Sequence, residues 1–177
     1  QLGFREEQFV LLIVGWRLDE EISDEFLQML DSVCRKDARI VAAFMGKYQN
    51  YEESIKKYPL LAANSRCLGA QEDALAVTEC MDLYVNPKRN GGGSSVAEAL
   101  YKGLPAVTLP VGDVSAAAGE SFRVADYGEM AETILHFASD EDYYERMSRL
   151  AEERAEQLMD SKNSFCGVID ELEQDMN

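Results

Sequence analysis

The sequence predicts an α/β fold: a doubly wound parallel sheet of five to six strands, followed by C-terminal helices. Three observations predict it. Apolar, β-branched runs such as Phe9–Gly15 (FVLLIVG) are continuous rather than alternating, as in strands buried on both faces. These runs alternate with stretches of helical period, which implies parallel neighbours joined by right-handed crossovers. A glycine-rich turn, NGGGSS at Asn90–Ser95, stands between one such run and a helical stretch.

The elements follow in order. Phe9–Gly15 is the first strand. In SDEFLQMLDSVCRK, Phe26, Leu27, Leu30 and Val33 recur at helical spacing, with acids early and cations late, as the helix dipole favours. RIVAAFM (Arg39–Met45) is the second strand, NYEESIKKY a short helix capped by Asn50, and SRCLG a short third strand. EDALAVTEC reads as helix and DLYVN (Asp82–Asn86) as the fourth strand. The glycine turn then opens a helix, SSVAEALYKG, that ends at Gly103. PAVTLP is the next strand and SFRVA a candidate sixth. From Tyr127 the pattern is helical almost to the end. With no internal repeat, low-complexity linker or break in composition, residues 1–177 read as one domain.

Seventeen basic against thirty-three acidic residues give a net charge of −16. That field repels polyanions, so neither nucleic acid nor an anionic membrane surface is expected as a partner. A small anion remains compatible if its pocket supplies local positive potential. No run approaches the ~20 apolar residues of a membrane span, and Gln1–Glu7 lacks the regions of a signal peptide. The four cysteines (Cys34, Cys67, Cys80 and Cys166) form no C-x-x-C pair and read as reduced, mostly buried thiols of a cytoplasmic protein.

Parallel sheets bind ligands at the carboxyl ends of their strands. The loops to weigh are therefore Gly15–Glu21, Gly46–Asn50, Leu68–Asp73, Asn86–Ser95 and Pro110–Glu120. The glycine loop has the strongest chemistry. Its glycines bare the main chain, and the first amides of a helix have no internal partner and sit at the positive end of the dipole. Phosphate is the natural guest. The loop is neither G-x-x-x-x-G-K-[ST] nor G-x-G-x-x-G, since no lysine follows the glycines and Val96 takes the last glycine position. Glu98 has two readings. With Ser95 it forms S-x-x-E, a capping box; alternatively, its carboxylate accepts hydrogen bonds from a ribose diol beside the phosphates.

The stretch NPKRNGGGSSVAEALYKGLPAVT (Asn86–Thr108) resembles the donor-site signature of GT-B-type glycosyltransferases, above all the retaining, nucleotide-sugar-dependent enzymes of group 1. VGWRLDEE and CLGAQEDALAVTECMDLYVNP resemble the flanking segments, so the likeness runs from about Phe9 to Asp160. It implies a Rossmann-like donor-binding domain, with the N-terminal acceptor domain of such an enzyme absent from this chain. It also implies a nucleoside diphosphate sugar as co-substrate, with no metal or other cofactor required. Residue by residue, Arg17 matches an arginine that faces the donor diphosphate, while Asp19, Glu20 and Glu21 occupy the region of its usual lysine partner. Lys88 and Arg89 are candidates to replace that charge beside Arg17. Gly91, Gly92, Gly93, Ser94 and Ser95 match the phosphate-binding turn. Arg66, Leu68 and Gly69 match the edge that holds the base, and Gly15 and Trp16 lie where the first strand reaches the cleft. Of two acids eight positions apart in the family, Glu98 matches the second, which binds ribose. The first falls at Asn90, an amide still able to hydrogen-bond a sugar hydroxyl.

Other features carry less. Asp140–Asp142 (DED) is formally D-x-D, a metal-binding motif elsewhere, but it opens a helical stretch where acids belong. His136, the lone histidine, lies near a helix C-terminus, where the dipole favours it. Without G-x-S-x-G or a second histidine, Ser–His–Asp hydrolysis is not supported. Trp16 and the loop around Tyr48 are expected to face a partner domain. The acidic segment from Asp170 reads as a solvated helix face. The expected function is the donor-binding half of a glycosyltransferase, inactive alone. The alternatives are a non-catalytic nucleotide-sugar-binding domain and a nucleotide-sugar epimerase of the same fold.

Overall fold

The computed structural model describes residues 2–160. Cys166 and the acidic segment from Asp170 lie outside them. Five parallel strands form one sheet: β1 (Phe9–Gly15), β2 (Ile40–Gly46), β3 (Ser65–Gly69), β4 (Leu83–Val85) and β5 (Ala106–Val107), in the order β3-β2-β1-β4-β5. The chain builds outward from β1 on one side and then on the other, as in a doubly wound, Rossmann-like sheet. β1 lies at the centre, and Leu11, Leu12 and Ile13 are fully buried, which is why its sequence is apolar without alternation. Its register with β2 runs from Phe9↔Ile40 to Gly15↔Gly46, so two glycines end adjacent strands side by side.

Nine helices cover the sheet among the described residues. The first is α1 (Leu18–Glu21), one turn long, followed by α2 (Asp24–Lys36). Ser23 caps α2 by accepting from the Phe26 N–H at 3.2 Å, and the apolar stripe of Phe26, Leu27, Leu30 and Val33 packs inward. After β2 come α3 (Tyr51–Ile55) and α4 (Pro59–Ala63). α4 has no sequence signal beyond Pro59, and its start is set from a distance. The buried Asp31 carboxylate of α2 accepts from the Leu60 and Leu61 amides at 2.9 and 3.0 Å. α5 (Ala74–Thr78) is capped by Asp73, and α6 (Gly93–Tyr101) follows the glycine turn. The segment Pro110–Glu120 proves to contain α7 (Gly112–Ala118). α8 (Tyr127–Ser139) and α9 (Glu141–Met159) complete the fold, each opened by an aspartate cap, Asp126 and Asp140. Asp140, the first acid of DED, thus serves as the cap of α9.

Four expectations change. SFRVA is not a sixth strand: Glu120–Phe122 is a 3-10 turn, and Arg123 makes a single parallel bridge to Thr108. Hydrogen bonds from the Thr108 N–H to the Phe122 carbonyl and from the Val124 N–H to the Thr108 carbonyl continue β5 for one residue only. Asn50 stands before α3 without a side-chain cap, and its own amide donates to Asp19 instead. In the loop around Tyr48 the tyrosine itself is buried in an aromatic cluster with Phe44 and Tyr51, while Lys47, Gln49 and Asn50 are exposed. Of the described cysteines only Cys34 is buried, and burial pushes its thiol up to about 12. Cys67 is exposed on the edge strand β3 and Cys80 in the turn beyond α5.

Candidate functional site

The connections from β1 to β2 and from β3 to β4 leave the sheet in opposite directions, so a crevice opens between the carboxyl ends of β1 and β4. A cavity of about 380 Å³ lies there, walled by Gly15, Trp16, Glu21, Arg89, Ser94 and Ser95 among others. A larger cleft, about 610 Å³, lies at the amino end of the sheet between residues 2–8 and Asp82. The Asp82 carboxylate is already engaged there by the Val10 N–H at 2.6 Å, and the strand-end rule favours the smaller crevice.

The β1 side of the crevice depends on two glycines. A Cβ at Gly46, whose φ is 123°, would overlap the Gly15 carbonyl, and a Cβ at Gly15 would press on Leu18 and the Arg89–Glu21 pair. Together they let β1 and β2 end in contact while α1 folds back over them. Asp19 holds α1 in place, its two oxygens accepting from the Gln49 and Asn50 amides at 2.9 and 2.7 Å. Those amides keep its carboxyl below the usual carboxylate range.

The β4 side is a polar network. Asn86, 1% exposed, ends β4 and turns its Oδ1 to Arg89, which donates from Nε at 2.9 Å and Nη2 at 2.7 Å. Arg89 also donates to the Val14 carbonyl and, at 2.5 Å, to Glu21. Its side chain is only 6% exposed. Tyr84, fully buried on β4, shares a hydrogen bond with the Ser95 hydroxyl at 2.9 Å, and burial pushes its phenol up. The Ser95 hydroxyl in turn donates to the Gly92 carbonyl at 3.0 Å. Strand ends, glycine turn and α6 are thereby tied into one unit.

Gly92, at φ 113°, is the N-cap of α6. Ser95 is thus the third helical residue rather than the cap, and S-x-x-E forms no capping box. Glu98 instead lies on the second turn, exposed, its side chain with no hydrogen bond or ion pair among the described residues. The Gly93 amide donates to the Asp113 carboxylate at 3.2 Å.

Of the residues singled out in the sequence, Gly15, Trp16, Arg89, Gly92, Ser94 and Ser95 line the cavity together. Trp16 is 73% exposed at its mouth. Arg17 lies beside it, its side chain 67% exposed and loosely paired with Glu20 at 3.6 Å and Glu21 at 3.9 Å. Lys88, Asn90 and Gly91 belong to the adjoining turn and Gly93 to the start of α6 rather than the wall; the Lys88 side chain is exposed while its amide N–H donates to the Tyr127 phenol oxygen at 2.9 Å. Arg66 is turned away, its guanidinium over the Phe4 ring at 5.3 Å. Leu68 and Gly69 end β3 beside the cavity without lining it; the Leu68 carbonyl accepts from Gln71 at 2.5 Å. His136 is remote on α8, stacked on Tyr143 and 3.2 Å from Asp140. The sequence reading missed Glu21, Gln71 and Asp113. In a run of DEE, Glu21 is indistinguishable from the acids of any first helical turn.

Over residues 8–140 the sequence matches the family model described as glycosyl transferases group 1. No curated protein is significantly similar in sequence. Among solved structures, the chain is similar to WaaG, a glycosyltransferase involved in lipopolysaccharide biosynthesis, with TM-score 0.75 and 17% identity over 87% of this chain and 44% of that one. It is similar to a mutant O-GlcNAc transferase of Thermobaculum terrenum, with TM-score 0.76 and 16% identity over 98% of this chain and 37% of that one. It is also similar to HepE of Anabaena in complex with UDP and glucose, with TM-score 0.74 and 16% identity over 95% of this chain and 49% of that one. The chain thus spans less than half the length of each, and at these identities the likeness is one of fold.

Proposed function

The chain belongs to the group 1 glycosyl transferases, and from that premise we propose that it is the donor-binding half of an enzyme that transfers a sugar from a nucleoside diphosphate sugar to an acceptor. One observation carries the reading. The glycine turn, with Gly92 in the left-handed region, brings the start of α6 to a cavity of about 380 Å³ at the crevice between β1 and β4. HepE, a structural neighbour, was solved with UDP and glucose.

The chemistry asks for these groups. When the sugar–phosphate bond breaks, its electron pair stays on the diphosphate. Preorganised N–H donors and a cation stabilise the charge that develops. We assign that work to the start of α6 and to Arg17, with Lys88 on the adjoining loop, and no metal ion is invoked. Glu98 receives the ribose hydroxyls. The acceptor is held by a second domain, so this chain alone transfers nothing, because transfer also needs an oriented acceptor and excluded water. A non-catalytic donor-binding domain is the second reading, favoured by the amide at Asn90 where the group has an acid. The epimerase reading has less support, since the one histidine is remote on α8.

Thermal shift against nucleoside diphosphates and their sugars tests the proposal. Ligand at ~100 times its dissociation constant adds about 2.7 kcal/mol of stability, so at least one uridine, adenosine or guanosine compound raises the melting temperature. Arg17→Ala weakens that ligand by about 1.5–3 kcal/mol, as for a charged hydrogen bond, and Glu98→Gln weakens it without loss of stability. A flat response across the panel at millimolar ligand overturns the reading.

A further inference from the structure

Arg89, Arg17 and the first amide of α6 each already face a carboxylate of the protein itself. Arg89, the buried cation of the wall, is met by Glu21 at 2.5 Å. Arg17 at the rim lies between Glu20 and the same Glu21. The first amide of α6 is met by Asp113 at 3.2 Å, and a Cβ on Gly93 would lie 3.1 Å from that carboxylate. Glu21 is itself part of the cavity wall, and its side chain is only 16% exposed. The two acids come from opposite sides, α1 and α7, and converge on the place where the fold presents its positive ends.

We propose that Glu21 and Asp113 are internal stand-ins for the ligand's negative charge, and that they set the affinity of the crevice for diphosphate by competing with it. The inference rests on the reading of the crevice as a diphosphate site. A dianionic group entering the crevice must share Arg89 with Glu21 and the start of α6 with Asp113. Each carboxylate repels it at short range, in surroundings less polarisable than water. Glu21 also holds Arg89 in place, whereas Asp113 is not needed as a prop for the fold. Asp113 is exposed, and its backbone N–H, independently of its side chain, ties the α7 turn to the Asn90 carbonyl at 3.0 Å. The opposed charges also discriminate among ligands. An uncharged nucleoside meets neither, whereas a diphosphate meets both, so the pair tunes the preference between them.

The test uses Glu21→Gln and Asp113→Asn, which keep the shape and an acceptor oxygen while removing the charge. Binding of UDP, ADP and GDP, of inorganic diphosphate and of the bare nucleosides is measured by titration calorimetry. Each variant is expected to bind the best diphosphate about three- to tenfold more tightly, the effect of removing one like charge at close range, with the nucleosides unchanged. The gain should shrink in high salt. Parental binding with equal or weaker affinity in both variants overturns the inference and leaves the proposed function standing. No binding by any of the three proteins at millimolar ligand overturns both. Should Glu21→Gln fail to fold, Asp113→Asn at its exposed position carries the test alone.

Discussion

Arg89 joins three segments with one planar group: the end of β1 through the Val14 carbonyl, α1 through Glu21, and the end of β4 through Asn86. A guanidinium suits this role because its donors are fixed in a fork. Arg89→Met leaves Glu21 and Asn86 without their partner, and removing one member of a buried pair costs about 3–5 kcal/mol; urea unfolding should show a loss of that order. Arg17, exposed and loosely paired, should tolerate replacement with little change in the same measurement. From the sequence both arginines are candidates for facing phosphate, Arg17 as the match to the group's arginine and Arg89 as a replacement for its lysine partner. Only the fold separates them, because the Arg89–Glu21 contact spans 68 residues and joins two loops. The glycine turn, by contrast, is legible residue by residue, because the absence of side chains is itself the signal. Trp16 offers a direct readout of the site. It is the only tryptophan and lines the cavity mouth, so a diphosphate ligand should change its fluorescence in proportion to occupancy, while Trp16→Phe abolishes the signal.

Among the elements, the central strands and the long helices are legible because each buries a face of characteristic period over many residues. β5 and the short helices are not. α4 and α7 run for five and seven residues, too short for a helical period to show, and α4 is fixed by Asp31 from another element. SFRVA has strand-like composition, but it meets the sheet at Thr108 alone. The junction of β1 and β2 makes a sharper prediction. Gly46→Ala places a methyl against the Gly15 carbonyl at a φ that disfavours a side chain, a backbone conformation costing about 1–3 kcal/mol before any clash. Its melting temperature should fall clearly, and ligand binding with it. α1 is pinned differently, through the Asp19 carboxylate. Because the folded protein holds that carboxyl below its ordinary value, the contribution is present at neutral pH and is lost as pH falls through the depressed value. Asp19→Asn should therefore lower stability at pH 7 and flatten the dependence of stability on pH below about 4, the ordinary carboxylate range.

Across the whole molecule, a surface of net charge −16 surrounds a crevice built around a buried arginine and the start of a helix. The charge total is legible at once in the sequence, but the meeting of a buried arginine, a helix start and their facing carboxylates at the crevice is not, since it depends on which chain ends meet. The two edges of the sheet are also unequal. Beyond β5, the 122–124 segment covers the strand end at Thr108. Beyond β3 no further strand pairs among the described residues, and its register with β2 is interrupted between Phe44 and Met45. The consequence concerns behaviour in crowded solution. An open strand edge is a template for stacking one molecule on another, and here the irregular register and the exposed, cationic Arg66 oppose it. Arg66→Val removes the charge and leaves a more apolar edge, with the irregular register unchanged. Concentrated samples of that variant should scatter light and form thioflavin-positive aggregates sooner than the parent, and equal scattering by the two would show that the edge is already protected by other means.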